Sequence, residues 1–203
     1  MKKILCVLLL SLLVILPVVA DDFFDDDDDD FFSYSNITTG YGALVQSGKV
    51  LNSFDLGFSF NFAGMNNSRT LGIGLGSRFD VLFGVGNGGI DSYLSVDALI
   101  GPFFHIPFNR TVALNLTVGP FFNFYSTGSL SSDEHVSIGP AVDCSVSLTP
   151  PGFDGISFGI GSLFSANISL KDDPNSFSFI PYVAFNIQFS DSYYPPYGAL
   201  VIY

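Results

Sequence analysis

The sequence predicts an all-β protein, an eight-stranded antiparallel up-and-down transmembrane β-barrel. Three observations carry this. Eight successive segments alternate with period two, the signature of strands with two unlike faces. In each segment the bulky apolar residues keep to one face, and the other is small or polar. The chain opens with a segment that has the form of an export signal.

Lys2 and Lys3 precede the apolar run Ile4 to Ile15, and Val18, Val19 and Ala20 supply the small residues of a cleavage site. Residues 1–20 therefore read as a signal peptide, with the mature chain starting at Asp21. Cys6 lies inside the apolar run, too early to be lipidated. The mature chain has the length of one domain. It contains no run of eighteen apolar residues, so a membrane crossing would have to be made by a closed barrel. Cys144 is the one cysteine left and can form no internal disulfide.

Composition narrows the function. The chain has 23 Phe, 21 Gly, no Trp and 13% charged residues, about half the ~25% usual in soluble domains. Beyond the signal, Lys49, Arg69, Arg78, Arg110 and Lys171 are the only basic residues against 19 acidic ones. Nucleic acid is excluded as a partner, because a phosphate backbone needs a basic patch.

Residues 21–34 form an acidic leader. Its DDFFDDDDDDFF run is too self-repelling to pack, and it lacks the spaced carboxylates and turn glycine of a calcium loop. The barrel domain spans 35–189. Ser35 to Val45 alternates least sharply. Leu51 to Phe62 is the cleanest segment, with Phe54, Leu56, Phe58, Phe60 and Phe62 against Ser53, Asp55, Gly57, Ser59 and Asn61. Thr70 to Phe83, Tyr93 to Phe104, Val112 to Tyr125, Val136 to Leu148, Ile156 to Leu170 and Phe177 to Phe189 complete the set. A soluble sandwich would leave the small, polar faces in water. Those faces carry almost no Lys or Glu, which soluble surfaces usually do, and a barrel interior suits them better. Gly101-Pro102, Gly119-Pro120, Gly139-Pro140 and Pro181 interrupt the strands, and each proline removes a ladder hydrogen bond, as at bulges or barrel rims.

A cleaved signal, eight alternating strands and a last strand ending Phe185-x-Ile187-x-Phe189 resemble the small outer-membrane β-barrels of Gram-negative bacteria and spirochaetes, the OmpA-barrel and OmpW-like group. The resemblance implies a bacterial outer-membrane location, a monomer, lipid around the barrel and an assembly machinery that reads a terminal aromatic residue. That residue is Phe189 or, at the end of the 190–203 tail, Tyr203. With the N-terminus in the periplasm, the connections around Asn66, Asn109 and 150–155 are periplasmic. Gln46 to Val50, Gly84 to Asp91, Ser126 to His135 and Lys171 to Ser176 are then the outer loops, short and poor in aromatic and arginine anchors for a partner.

Asp55, Arg78, Asp80, Asp97 and Asp143 fall on inward faces and line the lumen, the first four toward the outer half. One arginine cannot neutralise four aspartates. The set reads either as a structural salt-bridge plug or as a narrow path favouring small cations or solutes. Surface binding through the loops is the alternative function. A lipid-modifying enzyme is a weaker one, resting on His135 beside Ser131, Ser132, Asp133 and Ser137, with His105 in a periplasmic turn. No catalytic residue, cofactor or metal is assigned. Cys144 faces lipid as a small hydrophobe, and Tyr93 and Tyr125 sit near strand ends, where an amphipathic ring suits an interface. The intact mass of the exported protein should correspond to residues 21–203; a mass that includes residues 1–20 would refute the cleavage assignment.

Overall fold

The computed structural model describes residues 31–66, 68–85, 93–127, 133–153, 155–171 and 174–189. The signal, most of the leader, the tail, parts of three far-end connections, Asn67 and Asp154 lie outside these residues. Eight strands follow one another: β1 (Phe31–Gln46), β2 (Lys49–Met65), β3 (Gly72–Val85), β4 (Tyr93–Pro107), β5 (Val112–Thr127), β6 (Asp133–Leu148), β7 (Ile156–Ser169) and β8 (Ser176–Phe189). Each pairs antiparallel with its neighbours in sequence, and β8 pairs with β1, so the sheet closes into a barrel. β1 starts at Phe31, four residues before the alternation suggests, because the register continues through Phe31↔Gly64.

Closure decides which face is inside. Ile37, Phe54, Phe58, Phe79, Phe122, Phe158 and Val183 are exposed on the outer face all round the barrel, whereas Asp55, Ser59, Arg78, Asn123 and Asn186 are buried within. A path along the registers from Ser33 through Phe62, Leu75 and Pro102, across the ladder gap to Val118 and on through Val142, Phe164 and Phe179, returns to β1 at Ala43. The return is displaced by ten residues from Ser33 to Ala43. This stagger tilts the strands, and a barrel of eight strands leaves an interior that side chains can fill.

The two ends differ. At the end where β1 starts and β8 finishes (the near end), side chains organise the connections. Asn66 Oδ1 accepts from the Thr70 and Leu71 amides at 2.8 and 3.1 Å. Asn109 Oδ1 accepts from the Thr111 and Val112 amides, both at 2.8 Å. At the far end, the stretch expected as an outer loop around Gln46 to Val50 is instead a two-residue turn. Ser47 and Gly48 take φ of 50° and 75°, the combination that matches the twist of paired strands, and Gln46↔Lys49 closes the hairpin.

The prolines mark neither bulges nor rims. The ladders skip from Leu99↔Phe121 to Phe103↔Thr117, from Ile138↔Ile168 to Ala141↔Ser165 and from Gly40↔Tyr182 to Ala43↔Phe179, each in mid-strand. Pairing resumes in the same register on the other side, so no residue is inserted. Space is found on the lumen side instead. The carbonyls opposite Pro102, Pro120 and Pro140 belong to Val118, Ile100 and Ala166, and each occupies the place where a Cβ on Gly101, Gly119 or Gly139 would stand. The glycine before each proline is therefore a steric requirement. Gly139→Ala should lower barrel stability by about 1–3 kcal/mol through overpacking, while Pro140→Ala, which restores a donor to Ala166, should be neutral or stabilising. Urea titrations of the heat-modifiable gel band measure both, and equal midpoints for Gly139→Ala and the parent would refute the close approach.

Candidate functional site: the charged layer of the lumen

One ladder row builds the site. Thr38↔Gly57, Gly57↔Asp80, Asp80↔Asp97, Asp97↔Asn123 and Asn123↔Ser137 are successive cross-strand partners from β1 to β6. All these positions point inward because the side-chain period is two. The row places two aspartates directly opposite each other, an arrangement that destabilises a sheet unless each charge is separately satisfied.

Arg78 does this for Asp80. Its Nε donates to Asp80 Oδ1 and Oδ2 at 3.0 and 2.8 Å, and its Nη2 lies 2.8 Å from Oδ1. The rest of the guanidinium spans the lumen: Nη2 donates to Asp55 Oδ2 at 3.5 Å and to Thr38 Oγ1 at 3.4 Å, and Nη1 reaches Asp143 at 3.5 Å. The Tyr182 ring lies under it, 3.9 Å from the guanidinium carbon, a cation–π contact strengthened by the burial of both groups. Tyr182 also donates its hydroxyl to Asp143 Oδ1 at 2.6 Å. Asp97 is satisfied apart from Arg78, accepting from Ser95 Oγ at 2.5 Å and Asn123 Nδ2 at 2.6 Å. Ser137 in turn donates to Asn123 Oδ1 at 3.2 Å.

The layer is buried. Asp55 is 0% exposed and Arg78, Asp80 and Asp97 are each 1% exposed. Apolar clusters flank the layer, the near-end one smaller and set among the buried polar side chains of Asn36, Asn61, Asn115 and Asn186. Toward the far end, Leu44, Leu82, Leu99, Phe121, Leu163 and Ile180 form one buried cluster; toward the near end, Ala63, Met65 and Phe103 form another. The inner face is thus not small and polar throughout, as the alternation suggests. It carries a layer of large apolar residues that the narrow lumen needs as filling. Asp55 is the least well held of the four acids, since its Oδ1 has no hydrogen-bond partner among the described residues.

The five residues expected to line the lumen therefore come together, and Asp143, expected apart from the other four, joins them through the reach of Arg78. Tyr182, Thr38, Ser95 and Asn123 do not stand out in the sequence. Their inward parity is readable there, but their adjacency depends on register. Two other placements are corrected. His105 is not in a turn: it lies in β4, buried, with Nδ1 2.7 Å from Asn115 Oδ1. Tyr125 is not at an outer interface, because its odd position in β5 points it inward. It stacks on His135 with centroids 4.4 Å apart and donates to Gln46 Oε1 at 2.8 Å, capping the far-end cluster. Cys144 is half-buried on the outer-facing parity of β6. Among the described residues no three His, Cys, Asp or Glu side chains are placed to share a metal ion.

A closed eight-stranded antiparallel meander is a fold that this chain shares with solved outer-membrane β-barrels. No protein-family model and no curated protein sequence matches the chain. Among solved structures, it is similar to Neisserial surface protein A, at 15% identity and a TM-score of 0.58, over 78% of this chain and 97% of that one. It is also similar to the outer membrane enzyme PagL, at 15% identity and a TM-score of 0.51, over 75% of this chain and 98% of that one. A third likeness is to the attachment invasion locus protein Ail of Yersinia pestis, in complex with the heparin analogue sucrose octasulfate. There the identity is 13% and the TM-score 0.51, over 77% of this chain and 99% of that one. At such identities the likeness establishes the fold.

Removing Arg78 leaves several carboxylates buried without their counter-charge, so Arg78→Ala should cost about 3–5 kcal/mol. Asp55→Asn removes an excess negative charge with an unpartnered oxygen and should leave stability unchanged or raise it. Denaturant midpoints of the two variants test the network; a harmless Arg78→Ala would show that the guanidinium does not hold it.

Proposed function

We propose that this chain is a small bacterial outer-membrane β-barrel whose lumen is a structural pin rather than a path for ions. The carrying observation is the buried Arg78 guanidinium and the network it holds between two apolar clusters. A guanidinium tied to Asp55, Asp80 and Asp143 on three strands and stacked on Tyr182 from a fourth braces the barrel wall from inside. Ions would have to displace both Leu44, Leu99 and Phe121 on one side and Phe103 on the other.

Lipid as the surrounding medium is supported by the outer face, where Phe, Leu, Ile and Val are exposed on all eight strands. In water so large an apolar surface marks an interaction site; around a closed barrel it fits hydrocarbon. Closure leaves no unpaired strand edge, which a bilayer requires. The barrel would then hold its far-end connections at the cell surface. A catalytic pair is not supported by the described residues near His135, since its ring is stacked on Tyr125 and the Ser137 hydroxyl is directed to Asn123.

Refolded full-length mature protein in a planar bilayer should therefore be electrically silent, and Asp97→Ala should be silent too. Discrete cation-selective steps from the parent protein, altered in Asp97→Ala, would overturn the pin and make the aspartates a conduction path.

A further inference from the structure

Ser165, Ala166 and Asn167 are consecutive residues of β7, and each presents to the lumen side a polar group that the sheet does not satisfy. The Leu170 amide donates to the Val136 carbonyl at 2.9 Å. The bonded pairs of the β6–β7 ladder therefore continue at Ile138↔Ile168 and fall next on Pro140 opposite Ala166. Proline has no N–H, so the Ala166 carbonyl loses its ladder donor. That carbonyl is turned to the lumen side, into the place of a Cβ on Gly139. The flanking side chains are in the same position. Asn167 is 1% and Ser165 5% exposed, and Asn167 Oδ1 and Ser165 Oγ have no hydrogen-bond partner among the described residues. Asn167 Nδ2 donates to Ser178 Oγ at 2.9 Å. Ser178 is the cross-strand partner of Ser165, so this bond leans the Asn167 amide toward Ser165.

We propose that Ser165, Ala166 and Asn167 form a specific site for one buried water molecule, which gives the Ala166 carbonyl the hydrogen bond that Pro140 cannot. The three groups match a water in number and in kind. Its two hydrogens go to the Ala166 carbonyl and Asn167 Oδ1, and its oxygen accepts from Ser165 Oγ, the three bonds that an internal water usually makes. Buried polar groups left unbonded are costly, whereas a bridging water is nearly as good as a direct hydrogen bond. The cross-strand neighbours of Ser165 and Asn167 leave room for it: Ala141, Ser176 and Ser178 are all small. A cation fits the same oxygens less well. Asp143, two residues along β6 from Ala141, is held by Tyr182 and Arg78, and a charge among neutral oxygens would be desolvated without a counter-charge. The site is independent of what surrounds the barrel, because all three groups face the lumen. It brings water into the wall at the point where the β6–β7 ladder is interrupted, between Ile138↔Ile168 and Ala141↔Ser165.

The test has two parts, both on the full-length mature protein. A high-resolution crystal structure should show one density peak about 2.7–3.2 Å from the Ala166 carbonyl, Asn167 Oδ1 and Ser165 Oγ, with no anomalous signal after a rubidium soak. No peak there would overturn the site, and an anomalous rubidium peak would show that it takes a cation instead of water. The second part is a double-mutant cycle read as urea midpoints of the heat-modifiable gel band. Ser165→Ala should lower the midpoint of the parent. In the Pro140→Ala background, where the amide satisfies the Ala166 carbonyl directly, the same substitution should lower it by about half as much or less, because the two residues are coupled through the water. Equal losses in the two backgrounds would overturn the water as the substitute for the Pro140 amide. The density measurement needs the parent protein alone and decides the site even where a variant does not fold.

Discussion

Closure between β1 and β8 is the constraint on which the rest of the molecule depends. A sheet whose outer face is apolar all round can remain folded in hydrocarbon only if its backbone donors and acceptors are paired from within, and an open eight-stranded sheet would leave two edges unpaired. Once the sheet is closed with its ten-residue stagger from Ser33 to Ala43, the interior dimensions are set. The lumen is then too narrow to be left to water and has to be filled by side chains.

The filling is layered. Leucines, Phe121 and Ile180 take the far half, and Phe103 and Met65 share the near part with buried asparagines, leaving the charged groups a middle layer. A low dielectric strengthens every contact of Arg78 and raises the cost of any charge it fails to reach. This explains why Asp97, outside its reach, is supplied with Ser95 and Asn123 instead. The same wall accommodates mid-strand prolines because each of the three Gly-Pro pairs has its glycine on the lumen side, where the opposing carbonyl can turn without meeting a Cβ. A wall defect and its remedy are thus encoded in adjacent residues.

Much of this is legible in the one-dimensional pattern. Alternation in Phe54 to Phe62 or Phe177 to Phe189 needs only the parity of each residue, and parity assigns Asp55, Arg78, Asp80, Asp97 and Asp143 to the interior. Parity also points Tyr125 inward, while its place near a strand end suggests an interface; in the folded barrel parity wins. His105 falls in an expected turn because the alternation fades at Phe104, whereas β4 runs on to Pro107. The Gly-Pro pairs resemble bulges in sequence because a missing donor says nothing about where the opposing carbonyl turns.

The sequence by itself determined the number of strands, their faces and the charge imbalance of the interior, since each depends on residue type and on a period of two along the chain. The tertiary structure alone decided that Asp80 stands opposite Asp97, that Arg78 reaches across to Asp143, that Tyr182 lies beneath the guanidinium and that the leucines cluster on the far side of this layer. These are relations between strands, fixed by register and stagger, and a shift of one residue in any pairing would move a whole inward set to the outer face without changing a single residue of the pattern.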